Sequence, residues 1–281
     1  MTRPTAQLHS QSPALAVARS FVAARREASA LPGYPGAPPA TLAEGYAIQE
    51  AAIELWDDEI IGWKVGKIPD PLLDQLGQTR VIGPIFRKGL WTADPARPTP
   101  VPVFVGGFAA LEAEFVYELT VSAPANKLDW TLEEVQALGG RMRMGVEMAG
   151  SPLATINDLG PTVVAADFGN NNGLILSGLL AEWGRHPDDH YICAAYIDGV
   201  KVGDGSAATI PGGPLESVRF LLEHAARRGR PLKAGQLVST GAATGIHDMV
   251  AGQTGMISFG GTAEIACRTE PATPLAPRAG A

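Results

Sequence analysis

The sequence predicts an α+β fold that is mostly β-sheet, and three observations support this. From residue 60 onward, short apolar runs are interrupted by glycine and proline, which is typical of strands joined by turns. Helical periodicity is confined to a few segments, which do not alternate with strands as they do in βαβ units. With 281 residues, 46% of them hydrophobic, the chain can bury a full core in one large or two small domains.

The predicted helices combine an apolar stripe with a recognisable start or stop signal. Thr41 and Thr131 are each followed three residues later by a glutamate, which is the capping-box pattern that opens a helix. A proline- and glycine-rich loop over residues 31–39 ends the first helix. The predicted helices cover residues 13–30, residues 41–56, a segment that opens at Thr131, and residues 215–224.

Strands are predicted in the apolar runs between these helices. Residues 60–66 have the pattern of a short strand, and the Asp-Gly pair within residues 197–200 predicts a tight hairpin. Residues 271–281 have too little apolar surface to bury, so we expect a mobile tail there.

Two glutamates one residue apart, Glu112 and Glu114, lie in an otherwise apolar stretch, and Glu147 repeats this setting. On a strand, residues i and i+2 point to the same face, so Glu112 and Glu114 would project side by side and repel each other. The alternative is a half-exposed strand that presents Glu112, Glu114 and Glu118 to solvent. Glu147 favours the buried arrangement, because Val146 and Met148 flank it and buried acids are rarely unpaired.

A divalent cation would neutralise such carboxylates. Mg²⁺ and Mn²⁺ prefer oxygen ligands and often keep positions open for water and substrate. The three glutamates therefore predict a site for Mg²⁺ or Mn²⁺, with about three positions of the octahedron left for other ligands.

Composition excludes several classes of partner. The net charge is -7, and basic residues cluster only in the short 227–230 turn, which argues against nucleic-acid binding and a polybasic membrane patch. No run approaches the 18 or more apolar residues of a membrane span. Cys193 and Cys267 have apolar neighbours and are expected to be buried free thiols, so a cytoplasmic location is predicted.

Other common catalytic patterns are missing from the sequence. His-Glu-x-x-His and Cys-x-x-Cys do not occur, which removes the usual zinc arrangements. Gly62 lies one residue too close to Gly66 and Lys67 for a phosphate-binding loop.

An ordered series of short motifs resembles the 2-keto-4-pentenoate hydratase and 4-oxalocrotonate decarboxylase branch of the fumarylacetoacetate hydrolase superfamily. The series covers roughly residues 40 to 268, and its order is more specific than any single motif. The motifs are Gly62-Trp-Lys-Val-Gly66, Leu111-Glu-Ala-Glu-Phe115, Val146-Glu147 with Gly150-Ser151, Ala166-Asp-Phe-Gly-Asn-Asn-Asn-Gly173, Gly213-Pro-Leu215, Gly229-Arg-Pro-Leu-Lys-Ala-Gly235 and Ser239-Thr-Gly241.

The resemblance implies a fold of mixed β-sheets rolled around the site, a bound Mg²⁺ or Mn²⁺, and a homo-oligomer, possibly with a related decarboxylase or hydratase subunit. We accordingly divide the chain into a smaller N-terminal α/β region (1–75), a fumarylacetoacetate hydrolase-like catalytic domain (76–270) and the mobile tail (271–281). The resemblance also implies that Glu112, Glu114 and Glu147 hold the metal.

The resemblance also assigns the remaining site residues. Lys64 matches the family's site lysine, and burial near a cation would lower its pKa towards that needed for proton transfer. It could equally hold the substrate carboxylate as a fixed charge. Thr240 and Gly241 precede a loop that would bind substrate carboxylate oxygens, and Asp167 and Asn170 would line the pocket.

A small 2-oxo acid would bind the metal through a carboxylate and its keto oxygen, and the cation would stabilise the enolate that forms. The predicted function is a lyase acting on a 2-oxo acid or 2-hydroxydienoate, first a hydratase of the 2-keto-4-pentenoate type. The alternatives are a 4-oxalocrotonate-type decarboxylase, then a 2-oxo acid dehydratase or C–C hydrolase, then a non-catalytic partner subunit.

Two departures from the family pattern bear on the reaction. Residues 79–84 contain no acid before Gly83, where many hydratases of this branch carry one. This absence weakens the prediction of hydratase activity on the usual substrate. The chain has no histidine between Lys64 and Glu147, where the superfamily's hydrolases have the histidine of a His-Glu pair. C–C hydrolysis therefore ranks below hydration and decarboxylation among the predicted activities.

Overall fold

Two packed β-sheets organise the chain, whose computed structural model describes residues 12–276. The larger sheet has eight strands in the order β2-β1-β10-β5-β6-β7-β3, with β11 paired to β5, and the smaller has the order β4-β13-β12-β8-β9. The strands are β1 Ile60–Lys67, β2 Arg80–Phe86, β3 Leu90–Thr92, β4 Thr99–Val103, β5 Phe108–Leu119, β6 Gly140–Ser151, β7 Asn171–Leu179, β8 Ile192–Ile197, β9 Val200–Ser206, β10 Leu237–Ala242, β11 His247–Asp248, β12 Thr254–Phe259 and β13 Ala263–Pro271.

Six α-helices lie around these sheets in the described part of the chain. The capping boxes predicted at Thr41 and Thr131 are both present. The first helix ends at Glu27, three residues before its predicted end, because Ala28 adopts a left-handed conformation with φ 52°. The helices are α1 Pro13–Glu27, α2 Leu42–Leu55, α3 Leu73–Leu76, α4 Leu132–Leu138, α5 Pro161–Ala166 and α6 Pro214–Arg227.

The core lies where one face of the larger sheet meets the smaller sheet. Phe115 on β5 and Phe259 on β12 pack edge to face across this boundary, with ring centroids 5.7 Å apart. Odd-numbered residues of β5 point into this core, so its even-numbered residues, which include Glu112 and Glu114, share the opposite face of the sheet.

The predicted fold class is confirmed, while the division into regions stays a prediction. Strand β1 belongs to the predicted N-terminal region, yet it lies inside the larger sheet, parallel to β10 and antiparallel to β2. The larger sheet therefore continues across the predicted boundary at residue 75.

The predicted mobile tail begins at the last residue of β13, Pro271, which pairs with Val103. Beyond it, Ala272 N donates to Val103 O at 2.9 Å, and Leu275 N donates to Arg26 O at 2.8 Å. Residues 277–281 lie outside the described residues. Among residues 12–276, no helix combines the length and apolar character needed to cross a membrane.

Candidate metal centre

Three buried carboxylates meet on two neighbouring strands of the larger sheet. Glu112 on β5 lies directly opposite Glu147 on β6, and Glu114 follows two residues further along β5. The three side chains offer ligand oxygens within 4.8 Å of one another, and the residues are 3%, 1% and 0% exposed. The solvent-facing alternative is therefore wrong for these glutamates.

Two oxygens of this cluster have no partner among the described residues. Glu112 Oε1 and Glu147 Oε2 are buried and accept no hydrogen bond there. Two other oxygens of the cluster accept hydrogen bonds. Gly241 N donates to Glu114 Oε2 at 2.8 Å, and Asn171 Nδ2 donates to Glu147 Oε1 at 3.0 Å. Because buried carboxylate oxygens without partners are costly, this donor set fits a hard divalent cation such as Mg²⁺ or Mn²⁺.

The electrostatics of the cluster agree with this fit. Burial raises the pKa of Glu112 to about 8, against the opposing charge of Lys64. Burial and the charges of Glu147 and Glu112 raise the pKa of Glu114 well above its usual value, and burial also raises the pKa of Glu147. A bound cation would favour the ionised forms of all three carboxylates.

Lys64 reaches the cluster from β1. Its Nζ lies 3.6 Å from Glu147 Oε1 and donates to Asn170 Oδ1 at 3.0 Å, and the residue is 5% exposed. Burial lowers the pKa of Lys64, but the charges of Glu147, Glu112 and Glu114 outweigh it and raise the pKa overall. The surrounding carboxylates cause this rise, and the lowered pKa expected beside a bound cation stays a prediction.

The loop between α5 and β7 covers this face of the sheet. Asn170 Nδ2 donates to Asn157 Oδ1 at 3.1 Å, which fixes the amide whose oxygen meets Lys64. Gly83, the partner of Lys64 on β2, allows the loop to approach, since a Cβ there would lie 1.8 Å from Phe168 O. Of the predicted substrate-binding residues, Asn170 therefore lies in the centre itself.

The other three predicted substrate-binding residues have partners within the protein. Asp167 accepts hydrogen bonds from Arg25 and Ser151. Thr240 Oγ1 donates to Phe115 O at 2.6 Å, while the Gly241 amide holds Glu114. Their roles in substrate binding stay predictions, but Gly241 already contributes to the geometry of the carboxylates.

Solved structures share this architecture. The magnesium- and adipate-bound 4-oxalocrotonate decarboxylase from Pseudomonas putida G7 matches 95% of this chain and 100% of its own, with 21% identity and a TM-score of 0.75. The fumarylpyruvate hydrolase from Pseudomonas aeruginosa, in complex with Mn²⁺ and pyruvate, matches 75% of this chain and 89% of its own, with 15% identity and a TM-score of 0.55. A yeast fumarylacetoacetate hydrolase family protein matches 76% and 93%, with 11% identity and a TM-score of 0.51.

The chain has the fumarylacetoacetate hydrolase fold. No protein-family model matches the sequence, so the likeness rests on structure. Within the fumarylacetoacetate hydrolase fold of this chain, the carboxylate cluster, Lys64 and Asn170 occupy one face of the larger sheet.

Sequence reasoning missed three residues of this centre. Ser239 on β10 pairs with Lys64, and its buried Oγ has no partner among residues 12–276. Asn171 lies within the Ala166–Gly173 motif, but the sequence did not predict its hydrogen bond to Glu147. Arg25 lies on the apolar face of α1, three and four residues after Val22 and Phe21, so a charged residue in an apolar stripe was the available signal.

The segment before Gly83 contains no substitute for the missing acid. Ile82 is buried, and its amide donates to the Tyr46 hydroxyl. Arg80 Nε donates to Ser217 Oγ at 3.3 Å, and its Nη2 donates to Pro211 O, so its charge is directed towards α6. The Arg80 guanidinium is therefore held by Ser217 and Pro211.

A cavity of about 460 Å³ lies beside Asn171, although neither the three glutamates nor Lys64 line it. Its walls include the aromatic rings of Phe86, Trp91, Phe104 and Phe168, and also Asn171, which contacts Glu147. Asn171 thus lies between this cavity and the carboxylate cluster.

Proposed function

We propose that this chain is a divalent-metal-dependent lyase acting on a small 2-oxo acid or its 2-hydroxydienoate form. The observation that carries the proposal is the buried cluster of Glu112, Glu114 and Glu147 beside Lys64, with two carboxylate oxygens that lack partners among the described residues. Mg²⁺ or Mn²⁺ bound there would act as a Lewis acid towards the carboxylate and keto oxygens of such a substrate.

The protein's own residues then supply orientation and a proton. Carboxylates surround the Nζ of Lys64, and Asn170 Oδ1 accepts a hydrogen bond from it at 3.0 Å. Lys64 is therefore suited to bind a substrate carboxylate or to donate a proton to the carbon that loses its substituent. Ser239, on the strand beside Lys64, adds a buried hydroxyl that is available for a substrate oxygen.

Two observations favour decarboxylation over the hydration that the sequence predicts. Hydration requires water to be activated as well as a proton to be delivered, and β2 carries no acid where many hydratases of the branch have one. In decarboxylation, the electron pair of the broken C–C bond stays on the substrate, and one proton donor completes the reaction. The likeness to 4-oxalocrotonate decarboxylase over 95% of this chain supports the same choice.

The test is turnover of a panel of 2-hydroxydienoates, with and without a second carboxylate, in the presence of Mg²⁺, Mn²⁺ or EDTA. Loss of dienoate absorbance with one CO₂ released per molecule would support decarboxylation, whereas loss without CO₂ would support hydration. Glu114→Gln should abolish metal-dependent turnover. Glu118→Gln serves as the matched control, because Glu118 lies on the same strand as Glu114 but pairs with Arg141 and Arg143 of β6.

If the purified chain neither binds Mg²⁺ or Mn²⁺ nor turns over any member of the panel, the proposal is wrong. Stoichiometric metal binding without turnover would instead support a non-catalytic partner subunit. We also propose a homo-oligomer, possibly with a related decarboxylase or hydratase subunit, which sedimentation of the purified chain with and without such a subunit would test.

A further inference from the structure

Arg25 is a buried arginine in the N-terminal helix α1, far from the metal centre in sequence. The residue is 7% exposed and shares the apolar face of α1 with Phe21 and Val22. An arginine is rarely buried without specific partners, so its contacts indicate why the helix carries it.

The acidic partner of Arg25, Asp167, lies at the start of the loop that covers the metal centre. Its Nε donates to Asp167 Oδ1 at 2.7 Å and its Nη2 to Asp167 Oδ2 at 2.9 Å, a bidentate pair. Nη2 also donates to Gly150 O at 3.0 Å. The guanidinium carbon lies 5.5 Å from the ring centre of Phe104 and 5.2 Å from that of Phe168, so aromatic faces and hydrogen bonds together fix its position.

The loop held in this way is strained. Phe168, Gly169 and Asn170 have φ values of 53°, 63° and 53°, which places three successive residues in the left-handed region. Residues other than glycine persist in this region only where surrounding contacts impose it. Asp167 immediately precedes the three residues, and its second oxygen also accepts Ser151 Oγ at 2.6 Å.

The last residue of this loop and the first residue of β7 each place an amide at the metal centre. Asn170 Oδ1 accepts from Lys64 Nζ at 3.0 Å, and Asn171 Nδ2 donates to Glu147 Oε1 at 3.0 Å. We propose that Arg25 is a positioning residue, which holds Asp167 so that Asn170 and Asn171 orient Lys64 and Glu147. The effect of Arg25 on the metal centre rests on the proposed metal-dependent function.

A purely stabilising role is the competing explanation. Desolvating a buried ion pair offsets most of its attraction, and apolar replacements of such pairs are often neutral or stabilising. The Arg25–Asp167 pair is therefore better explained by the geometry that it imposes on the loop. A positioning role and a stabilising role differ in their effects on metal affinity and on the loop amides.

The test compares Arg25→Met with the matched control Arg26→Met in the full chain. Arg26 is the next residue of α1, and its guanidinium contacts Leu55 O and the Trp56 ring. We expect Arg25→Met to weaken Mn²⁺ binding, measured by titration calorimetry well below the melting temperature, by about 10- to 100-fold, as for other residues that orient metal ligands. Arg26→Met should leave the affinity within about twofold, and Arg25→Lys should restore part of the loss.

A second readout does not require metal. Asn170 N donates to Asp167 O, and Asn171 N donates to Phe168 O, so these amides report the loop conformation. Hydrogen exchange over residues 167–172 should be faster in Arg25→Met and unchanged in Arg26→Met. Asp167→Asn should act like Arg25→Met, and the double variant should be no worse than either single one, because both disrupt the same unit.

Unchanged Mn²⁺ affinity and unchanged exchange in Arg25→Met, even with a lower melting temperature, would overturn the inference in favour of a structural role. An equal effect of Arg26→Met would also overturn it. Failure of the unmodified chain to bind Mn²⁺ would overturn the proposed function, and the exchange experiment would still decide whether Arg25 positions the loop.

Discussion

Glu112 and Glu147 lie directly opposite each other on antiparallel strands, and each has one buried carboxylate oxygen without a hydrogen-bond partner among the described residues. Cross-strand neighbours of like charge destabilise a sheet unless a cation or a proton lies between them. Removing a metal from between these two carboxylates should therefore destabilise the larger sheet.

Adding Mg²⁺ or Mn²⁺ should raise the melting temperature of the chain, and EDTA should reverse the change. At a metal concentration of about 100 Kd, the gain in unfolding free energy is about 2.7 kcal/mol, which corresponds to a shift of about 5 °C or more. Glu147→Gln should lose this shift while its metal-free melting temperature stays level or rises, because one of three mutually repelling carboxylates is removed and Lys64 keeps Glu112 and Glu114 nearby. Calorimetric scans measure both quantities. A full metal-induced shift in Glu147→Gln would exclude Glu147 as a ligand.

Replacing Lys64 should separate turnover from metal binding. Lys64→Met should lower kcat by about 10²- to 10⁴-fold, the usual contribution of a proton donor. Mn²⁺ affinity should be equal or higher, because a competing positive charge 3.6 Å from Glu147 is removed. The matched control is Lys67→Met on the same strand, where the exposed Lys67 pairs with Asp70. Similar turnover in the two variants would show that Lys64 is not catalytic.

Ser239→Ala tests whether the buried hydroxyl contacts substrate. Ser239 Oγ has no partner among residues 12–276, so its removal should leave the unfolding free energy unchanged or slightly increased while KM rises. Thr240→Val, in contrast, removes the hydrogen bond to Phe115 O and should cost about 1 kcal/mol of stability. Urea unfolding and steady-state kinetics on both variants provide the comparison. A rise in KM for Thr240→Val alone would favour Thr240 as the substrate ligand.

His224 should make stability depend on pH. Burial, together with the charges of Arg228 and Arg227, lowers the pKa of His224 from 6.5 to about 4, and the ring stacks on Phe220. Between these values the unfolded chain binds a proton that the folded chain does not, so stability is full above pH 6.5 and falls as the pH drops towards 4. The expected loss is about 2 kcal/mol near pH 5.

Urea unfolding of the unmodified chain and of His224→Phe, at about pH 7.5 and about pH 5, measures this effect. The substitution should remove about 2 kcal/mol of the difference between the two pH values, because the phenyl ring cannot be protonated. An equal pH dependence in both proteins would show that other groups cause the acid sensitivity.

Local patterns predicted a substantial part of the structure. The capping boxes at Thr41 and Thr131, and the Asp-Gly hairpin at residues 197–200, are confirmed because each depends on contacts within a few residues. Strand periodicity alone predicted that Glu112 and Glu114 point to the same face of the sheet. The burial of both side chains agrees with the interpretation based on their apolar neighbours.

Contacts between distant residues could not be predicted in this way. The raised pKa of Lys64 depends on how close β1, β5 and β6 bring its ammonium group to three carboxylates. The Arg25–Asp167 pair joins residues 142 positions apart, and the Gly241 amide reaches Glu114 across 127 positions. Strand alternation and helix capping could be predicted from the sequence, because they require only local geometry. The order and register of the strands could not, because they depend on packing throughout the core.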